Sequence, residues 1–351
     1  MGLKLVYNNS MMPSSHKNFP FYVAEISANH MGDLGRAHNL IAAAAKSKAN
    51  AVKFQTYTAD TMTINLDSLG VSADHKLWGG KKLYDLYKEA HTPWEWHPEL
   101  FSHALEVGLI PFSSPFDSTA VSFLEKLNCP IYKIASLESG DLELIKAVGL
   151  TGKPVIVSTG ATELDEIEEA VSAFKSTGND NLTLLVCTSS YPADPAEAHL
   201  KRIATLREKF QVNVGISDHT LGIGVSIAAI ALGATVVEKH ITLKRNDGGY
   251  DSAFSMEPEE FEQLVEEGNK AYLSLGEPIW QILNSEKESR RLRRSLYVVA
   301  NVKSDDTLTS ENIRAIRPGA GLQPKHLNEV LGKKFNRDLI AGTPLSFEVI
   351  K

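Results

Sequence analysis

Eight short runs of β-branched and aromatic residues, each followed by a stretch with helical spacing, constrain this chain more than any other feature. They are FYVAEIS (21–27), AVKFQT (51–56), LIPFSS (109–114), IYKIAS (131–136), PVIVST (154–159), LTLLVCTS (182–189), VNVGISD (212–218) and TVVEKHIT (235–242). Each is too short for a helix, and near-continuous apolar runs suit parallel strands covered on both faces. The intervening segments LGRAHNLIAAAAKS, STAVSFLEKL and ELDEIEEAVSAFKS carry apolar residues at helical spacing, the first behind Asp33 as N-cap. A doubly wound sheet uses the same strand–helix unit. The count of eight and the placement of the polar residues favour an α/β (β/α)8 TIM barrel.

Two stretches depart from the repeat. The link from Thr56 to Leu109 is longer than the others and holds LWGGKKLYDLYKEAHTPWEWHPEL (77–100), an aromatic-rich insertion expected to lie over the barrel mouth. Near Leu283 the character changes to NSEKESRRLRRS, which is charged and poor in apolar residues. The expected organisation is a barrel over 1–282, a linker over 283–294 and a small β-rich domain over 295–351. A chain of 351 residues exceeds what one core usually organises, and the small part is marginal alone.

Charge and cysteine usage narrow the function classes. The formal net charge of −7 makes general binding to nucleic acid or to an anionic membrane unfavourable. The first twenty residues hold no apolar run of signal-peptide length, and no stretch approaches a membrane span. Cys129 and Cys187 sit in apolar runs without metal-ligand spacing, as buried free thiols of a reducing, cytoplasmic protein would.

The chemistry is carried by polar residues at the ends of the apolar runs, where a barrel builds its active site. Lys53 and Lys133 lie between hydrophobic neighbours, and a buried ammonium needs an anion. Either each pairs with a barrel carboxylate such as Glu25 or Glu238, or both face a bound anion. Company from Ser136, Ser158, Ser189 and Ser217 favours a phosphate or carboxylate site. His219 and His240 end the last two runs, where two imidazoles can share one divalent cation with open positions for water and a carbonyl. Asp218 stands next to His219 and could orient an imidazole. Gly222 and Gly224 open the following helix and are read as a close packing contact rather than a dinucleotide loop.

Together AEISANHMGDLGRA, KFQTY, SSPFD, YKIAS, STGAT, TSSYPA, GISDHTLG and EKHIT resemble, in order, the segments of the sialic-acid-synthase family. IRPGAG and its preceding strands are similar to the antifreeze-like (SAF) domain of those enzymes. The resemblance implies a condensation of phosphoenolpyruvate (PEP), a sugar and water into a nine-carbon 2-keto acid and phosphate. N-acetylneuraminate synthases usually show Asn at the position of Ser189 and GPD near Gly249. Here Ser189 and GGYD stand instead, which argues against the simplest sialic acid substrate, and the resemblance implies a 2,4-diacetamido-2,4,6-trideoxy sugar of either the pseudaminic or the legionaminic stereochemistry. It further implies Mn2+, Co2+ or Mg2+ on His219 and His240, Glu138 as base towards water, and Glu25 as sugar ligand or proton donor. Lys53, Lys133, Ser136, Ser158, Ser189 and Ser217 would hold PEP, and Gln55, Tyr191 and Asp251 the sugar. Arg317, on a loop that Gly319 and Gly321 let approach a ligand, would contact the sugar's acetamido group across a domain-swapped homodimer. A metal-dependent aldolase on the same barrel and a noncatalytic sugar-binding protein are the competing expectations.

Overall fold

A computed structural model describes residues 19–72 and 78–351. The N-terminal stretch examined for a signal peptide, and Leu77 at the start of the insertion, lie outside the described residues. The chain divides into two compact units, one ending at Gly276 and the other beginning at Glu277.

All eight expected strands form. They are β1 (Phe21–Glu25), β2 (Ala51–Thr56), β3 (Ile110–Pro115), β4 (Tyr132–Ile134), β5 (Val155–Ser158), β6 (Leu182–Cys187), β7 (Asn213–Ser217) and β8 (Val236–His240). Neighbours pair in parallel around a closed barrel, and β8 returns to β1 with Phe21 opposite Val236 and Glu25 opposite His240. Each strand is followed by a helix on the outside. The first, Leu34–Lys46, shows the logic: Ala37, Leu40, Ile41 and Ala44 bury one stripe against the strands, and the Asp33 carboxylate accepts the Arg36 N–H as the expected cap. The insertion after β2 contributes a short helix, Leu83–Ala90, ahead of the barrel helix His97–Glu106. No described helix is long and apolar enough to cross a membrane.

Strand alternation sorts the polar residues into two sets. Lys53 and Gln55 on β2, Glu238 and His240 on β8, and Ser217 with His219 at the end of β7 share the inward parity and line one cavity. Lys239 and Asp218 have the opposite parity, and their side chains form a buried ion pair at 3.0 Å behind the strands. Gly222 and Gly224 do not make the close packing expected of them. A Cβ at either would meet nothing within 4 Å, and Gly222 is instead needed for its left-handed φ of 73°.

The C-terminal unit pairs β9 (Ser295–Val298) antiparallel with β10 (Ile313–Ile316) and adds isolated bridges such as Val302 to Leu339. Leu296, Val298, Leu308, Ile313, Phe335 and Leu345 form its own small core. Arg317 follows β10. Gly321 packs against β9 rather than a ligand: a Cβ there would stand 2.3 Å from the Leu296 carbonyl. The Gly319 N–H donates to the Arg291 carbonyl at 2.9 Å, which turns this loop back on its own unit.

Candidate active site

The inward set converges on a cavity of about 440 Å³ at the C-terminal ends of the strands. Its centre is an ion network. Lys53 Nζ lies 2.5 Å from Glu25 Oε2 and 3.5 Å from Glu238 Oε1, and Lys133 Nζ lies 3.6 Å from the same Glu238 oxygen. Both lysines thus pair with carboxylates, as one of the two expectations had it, yet Lys53, Lys133 and Glu238 also line the cavity. Burial works to lower Lys53, but Glu238 and Glu25 outweigh it and hold the ammonium charged. Lys133 has one partner, at longer range, and burial lowers it. Burial raises Glu25 above the usual carboxylate range, with Glu238 adding to it against the pull of Lys53. Glu238 is instead held low by Lys133 and Lys53 despite its burial. The two carboxylates of one ion network are thus shifted in opposite directions.

Several polar atoms at this centre have no partner in the protein: Ser158 Oγ, Glu138 Oε2, Glu25 Oε2 beyond its ion pair, Glu238 Oε2 and His240 Nδ1. Buried polar atoms are rarely left so, and a cluster of them around a cavity marks a place for ligand oxygens or water. Ser136 Oγ accepts the Gly160 N–H at 3.1 Å, which leaves its own O–H to donate. A Cβ on Gly160 would stand 2.4 Å from Ser189 Oγ and 2.8 Å from Ser136 Oγ, so only glycine leaves room for both hydroxyls. Ser217 donates to Glu238 Oε1 at 3.2 Å.

The two histidines face each other with ring centroids 5.3 Å apart. The His219 Nδ1 contact to the Thr188 carbonyl at 3.0 Å keeps the proton on Nδ1 and leaves Nε2 as the lone-pair nitrogen. His240 is held well below the usual imidazole range by burial, then by the positive charges around it, so it stays neutral. His240, neutral and with an orphaned nitrogen, suits a divalent cation, whereas at His219 burial is outweighed by Cys187 and the Thr188 carbonyl, which favour the proton that a cation would replace. Among the described residues, no group of three or more His, Cys, Asp or Glu side chains is arranged for a metal. Asp218 does not orient His219. Its carboxylate accepts from Thr220 N–H, Thr220 Oγ1 and Ser226 Oγ, and pairs with Lys239, whose Nζ also donates to the Thr220 carbonyl at 2.7 Å. That bundle grips the residues on both sides of His219 instead of its ring.

Towards the mouth, Gln55 Nε2 donates to Ser27 Oγ at 3.1 Å, and Ser27 donates to Asp251 Oδ2 at 2.5 Å. The Tyr191 ring lies tilted against His219 at 4.6 Å and Phe254 at 5.0 Å between centroids. Most of the expected residues thus share one cavity. Glu25 does not reach its wall but stands behind Lys53, and Ser189 stands behind Gly160. Arg317 belongs to the C-terminal unit. Ser27, one of the polar residues at the end of the first apolar run, had no role assigned, and its φ of 48° is uncommon for a residue with a Cβ; Gly160, Tyr57, Tyr87 and Phe254 were not expected at all. The expectation also took Cys187 for an inert thiol. Cys187 is buried and free, but it lines the cavity with Sγ 3.8 Å from His219 Nδ1. Burial pushes its thiol up, and His219, Ser136 and Lys133 outweigh that and bring it to about 7.

The NeuB family profile matches residues 40–279, and the SAF domain profile matches residues 293–350. The chain is 43% identical to the pseudaminic acid synthase of Helicobacter pylori, covering 95% of this chain and 98% of that one. It is 35% identical to the N,N'-diacetyllegionaminic acid synthase of Campylobacter jejuni, over 89% and 94% of the two chains. The solved N-acetylneuraminic acid synthetase of Leptospira borgpetersenii, in complex with citrate, superposes with a TM-score of 0.70 at 34% identity, covering 78% of this chain and 90% of that one.

Proposed function

Because this chain belongs to the NeuB family, we propose that it condenses PEP with 2,4-diacetamido-2,4,6-trideoxy-L-altropyranose and water, giving pseudaminic acid and phosphate. The observation that carries this reading is the cavity floor, where two buried lysines and the unpartnered Ser158 hydroxyl stand beside two neutral-capable histidines and Glu138. A noncatalytic sugar-binding protein has no use for a base and an ion network at that place.

The chain's residues divide the work. Lys53, Lys133, Ser136, Ser158 and Ser217 bind the phosphate and carboxylate of PEP, with Ser189 supporting them from behind Gly160; an arriving anion offsets the burial that lowers Lys133. Gln55, Tyr191 and Asp251 hold the sugar in its open-chain form with C1 over PEP C3. His219 and His240 would hold a Mn2+, Co2+ or Mg2+ ion, completed by water and substrate oxygens. Bound there, the cation supplies Lewis-acid polarisation of a carbonyl. As C3 bonds to C1, positive charge develops at C2. Glu138 takes a proton from the water that adds to C2, and the C2–O bond to phosphate then breaks. The Glu25–Lys53 pair returns a proton to the new alkoxide: the Lys53 ammonium, which lines the cavity, gives it up, and the raised carboxyl of Glu25 stands behind it.

Incubation with PEP labelled with 18O at the bridging oxygen tests the reaction. The label is expected in the released phosphate, with the nine-carbon acid seen by mass spectrometry. Label kept in the sugar acid, or faster turnover of the legionaminic acid precursor, would overturn the respective half of the proposal.

A domain-swapped homodimer, in which Arg317 of one chain serves the sugar site of the other, belongs to the same proposal. Inactive Arg317→Ala and inactive His240→Ala chains are expected to recover partial activity on mixing, because one site of each mixed dimer then receives neither defect. Mixed dimers verified by mass spectrometry that stay inactive would refute the shared site.

A further inference from the structure

The helix Leu83–Ala90 presents an unusual surface to the cavity. Its sequence, LYDLYKEA, places Leu83, Leu86, Tyr87 and Ala90 at i, i+3, i+4 and i+7, one stripe of an amphipathic helix. In the barrel helices that stripe faces the strands. Here all four residues line the substrate cavity. Leu86 is only 7% exposed, and Met62, Val71 and Phe116 extend the same apolar wall.

The helix is held by its other edges. Tyr84 Oη donates to Asp60 at 3.0 Å, Lys81 Nζ donates to Tyr250 Oη at 2.6 Å, and Glu89 contacts the same phenol. Tyr87 packs edge-on against Tyr57 at 5.8 Å. Eight residues make a helix too short to stand by propensity, so these contacts fix its place and leave the apolar stripe turned to whatever enters the cavity.

We propose that this helix is the specificity element for the sugar: its stripe, centred on Leu86, receives the deoxygenated C6 end of the substrate and disfavours a hydroxyl there. The inference rests on the reading of the cavity as a PEP-dependent sugar acid synthase. In that reading C1 must face the floor, where the lysines and histidines lie, so C6, at the other end of the open chain, reaches the roof. The acetamido groups do not fit the stripe as well. Each brings an amide N–H and a carbonyl that need partners, and Leu83, Leu86, Ala90, Met62 and Val71 offer none from their side chains. A C6 methyl asks for no partner. A C6 hydroxyl set against the aliphatic part of this wall, at Leu83, Leu86 and Ala90, would lose its hydration without replacement.

The discrimination is readable as the ratio of kcat/KM for the 6-deoxy sugar to that for its 6-hydroxy analogue. A hydrophobic pocket separates such pairs by roughly 10- to 200-fold. Leu86→Asn is expected to cut the ratio at least tenfold, chiefly through the sugar KM, with the PEP KM unchanged. Leu83→Asn, at a half-buried position, provides the same test should Leu86→Asn fold poorly, and the volume-conserving Leu86→Met is expected to keep the ratio. If both Asn variants lower kcat/KM equally for the two sugars, the stripe is structural and the proposal falls. If the unaltered enzyme consumes no PEP with either sugar, the underlying reading of the site falls instead.

Discussion

His219→Ala and His240→Ala are each expected to abolish condensation while leaving the barrel folded. Lewis-acid stabilisation worth several kcal/mol corresponds to a loss of about a thousandfold or more. The argument starts from the imidazoles themselves. The Thr188 carbonyl holds the His219 proton on Nδ1, and burial among cations keeps His240 neutral with Nδ1 unpartnered. A structural role would have given that nitrogen a partner, because a buried polar atom left alone costs about 1–3 kcal/mol. Three measurements check the expectation. Metal content by elemental analysis should drop in both variants, circular dichroism should be unchanged, and chelated wild-type enzyme should regain turnover with Mn2+, Co2+ or Mg2+. Full turnover of metal-stripped wild type would sink it.

The barrel was legible because its strands are buried on both faces, which makes them near-continuous apolar runs that stand out from the amphipathic helices between them. The site was legible at Lys53, Lys133, His219 and His240 for the same reason, since a charged or imidazole side chain inside such a run calls for an explanation. What alternation adds is direction. Lys239 and Asp218 look as conspicuous as their neighbours but have the opposite parity, and their charges meet behind the strands at 3.0 Å. Counting parity from Ser217 and His219 separates Asp218, and from Glu238 and His240 separates Lys239, on the sequence alone.

Other parts were not legible, for physical reasons. Gly160 matters because two serine hydroxyls from different loops occupy the space a Cβ would take, a coincidence of three distant segments. Ser27 adopts a left-handed backbone where Gly or Asn would be the usual signal. Cys187 ends an apolar strand as any buried thiol might, and only the fold brings His219 within 3.8 Å of it. The insertion was recognised as aromatic and mouth-covering, but its stripe reads as core until the cavity beneath it is seen.

Glu138→Gln is expected to lower kcat by about 10²- to 10⁴-fold, the usual contribution of a positioned base. Glu138 sits on the turn Ser136–Glu138 directly after β4, lines the cavity, and leaves Oε2 buried without a partner. Burial raises its carboxyl above the ordinary range, and Lys133 only partly opposes this. A raised carboxylate is a stronger base, so the group suits proton removal from water near neutral pH. The sign of the pH dependence follows. The ionised form is the active one, so kcat should fall as pH drops through a value above the ordinary Glu of about 4.3, and this acid limb should vanish in Glu138→Gln. The alternative role is charge balance for Lys133. In that case the Gln variant would change the PEP KM, because an uncompensated Lys133 meets the anion differently, while kcat and its acid limb would survive. A pH profile of kcat and a PEP titration on the same preparation therefore separate the two: loss of kcat with its limb identifies the base, and a shift confined to the PEP KM removes that role from Glu138.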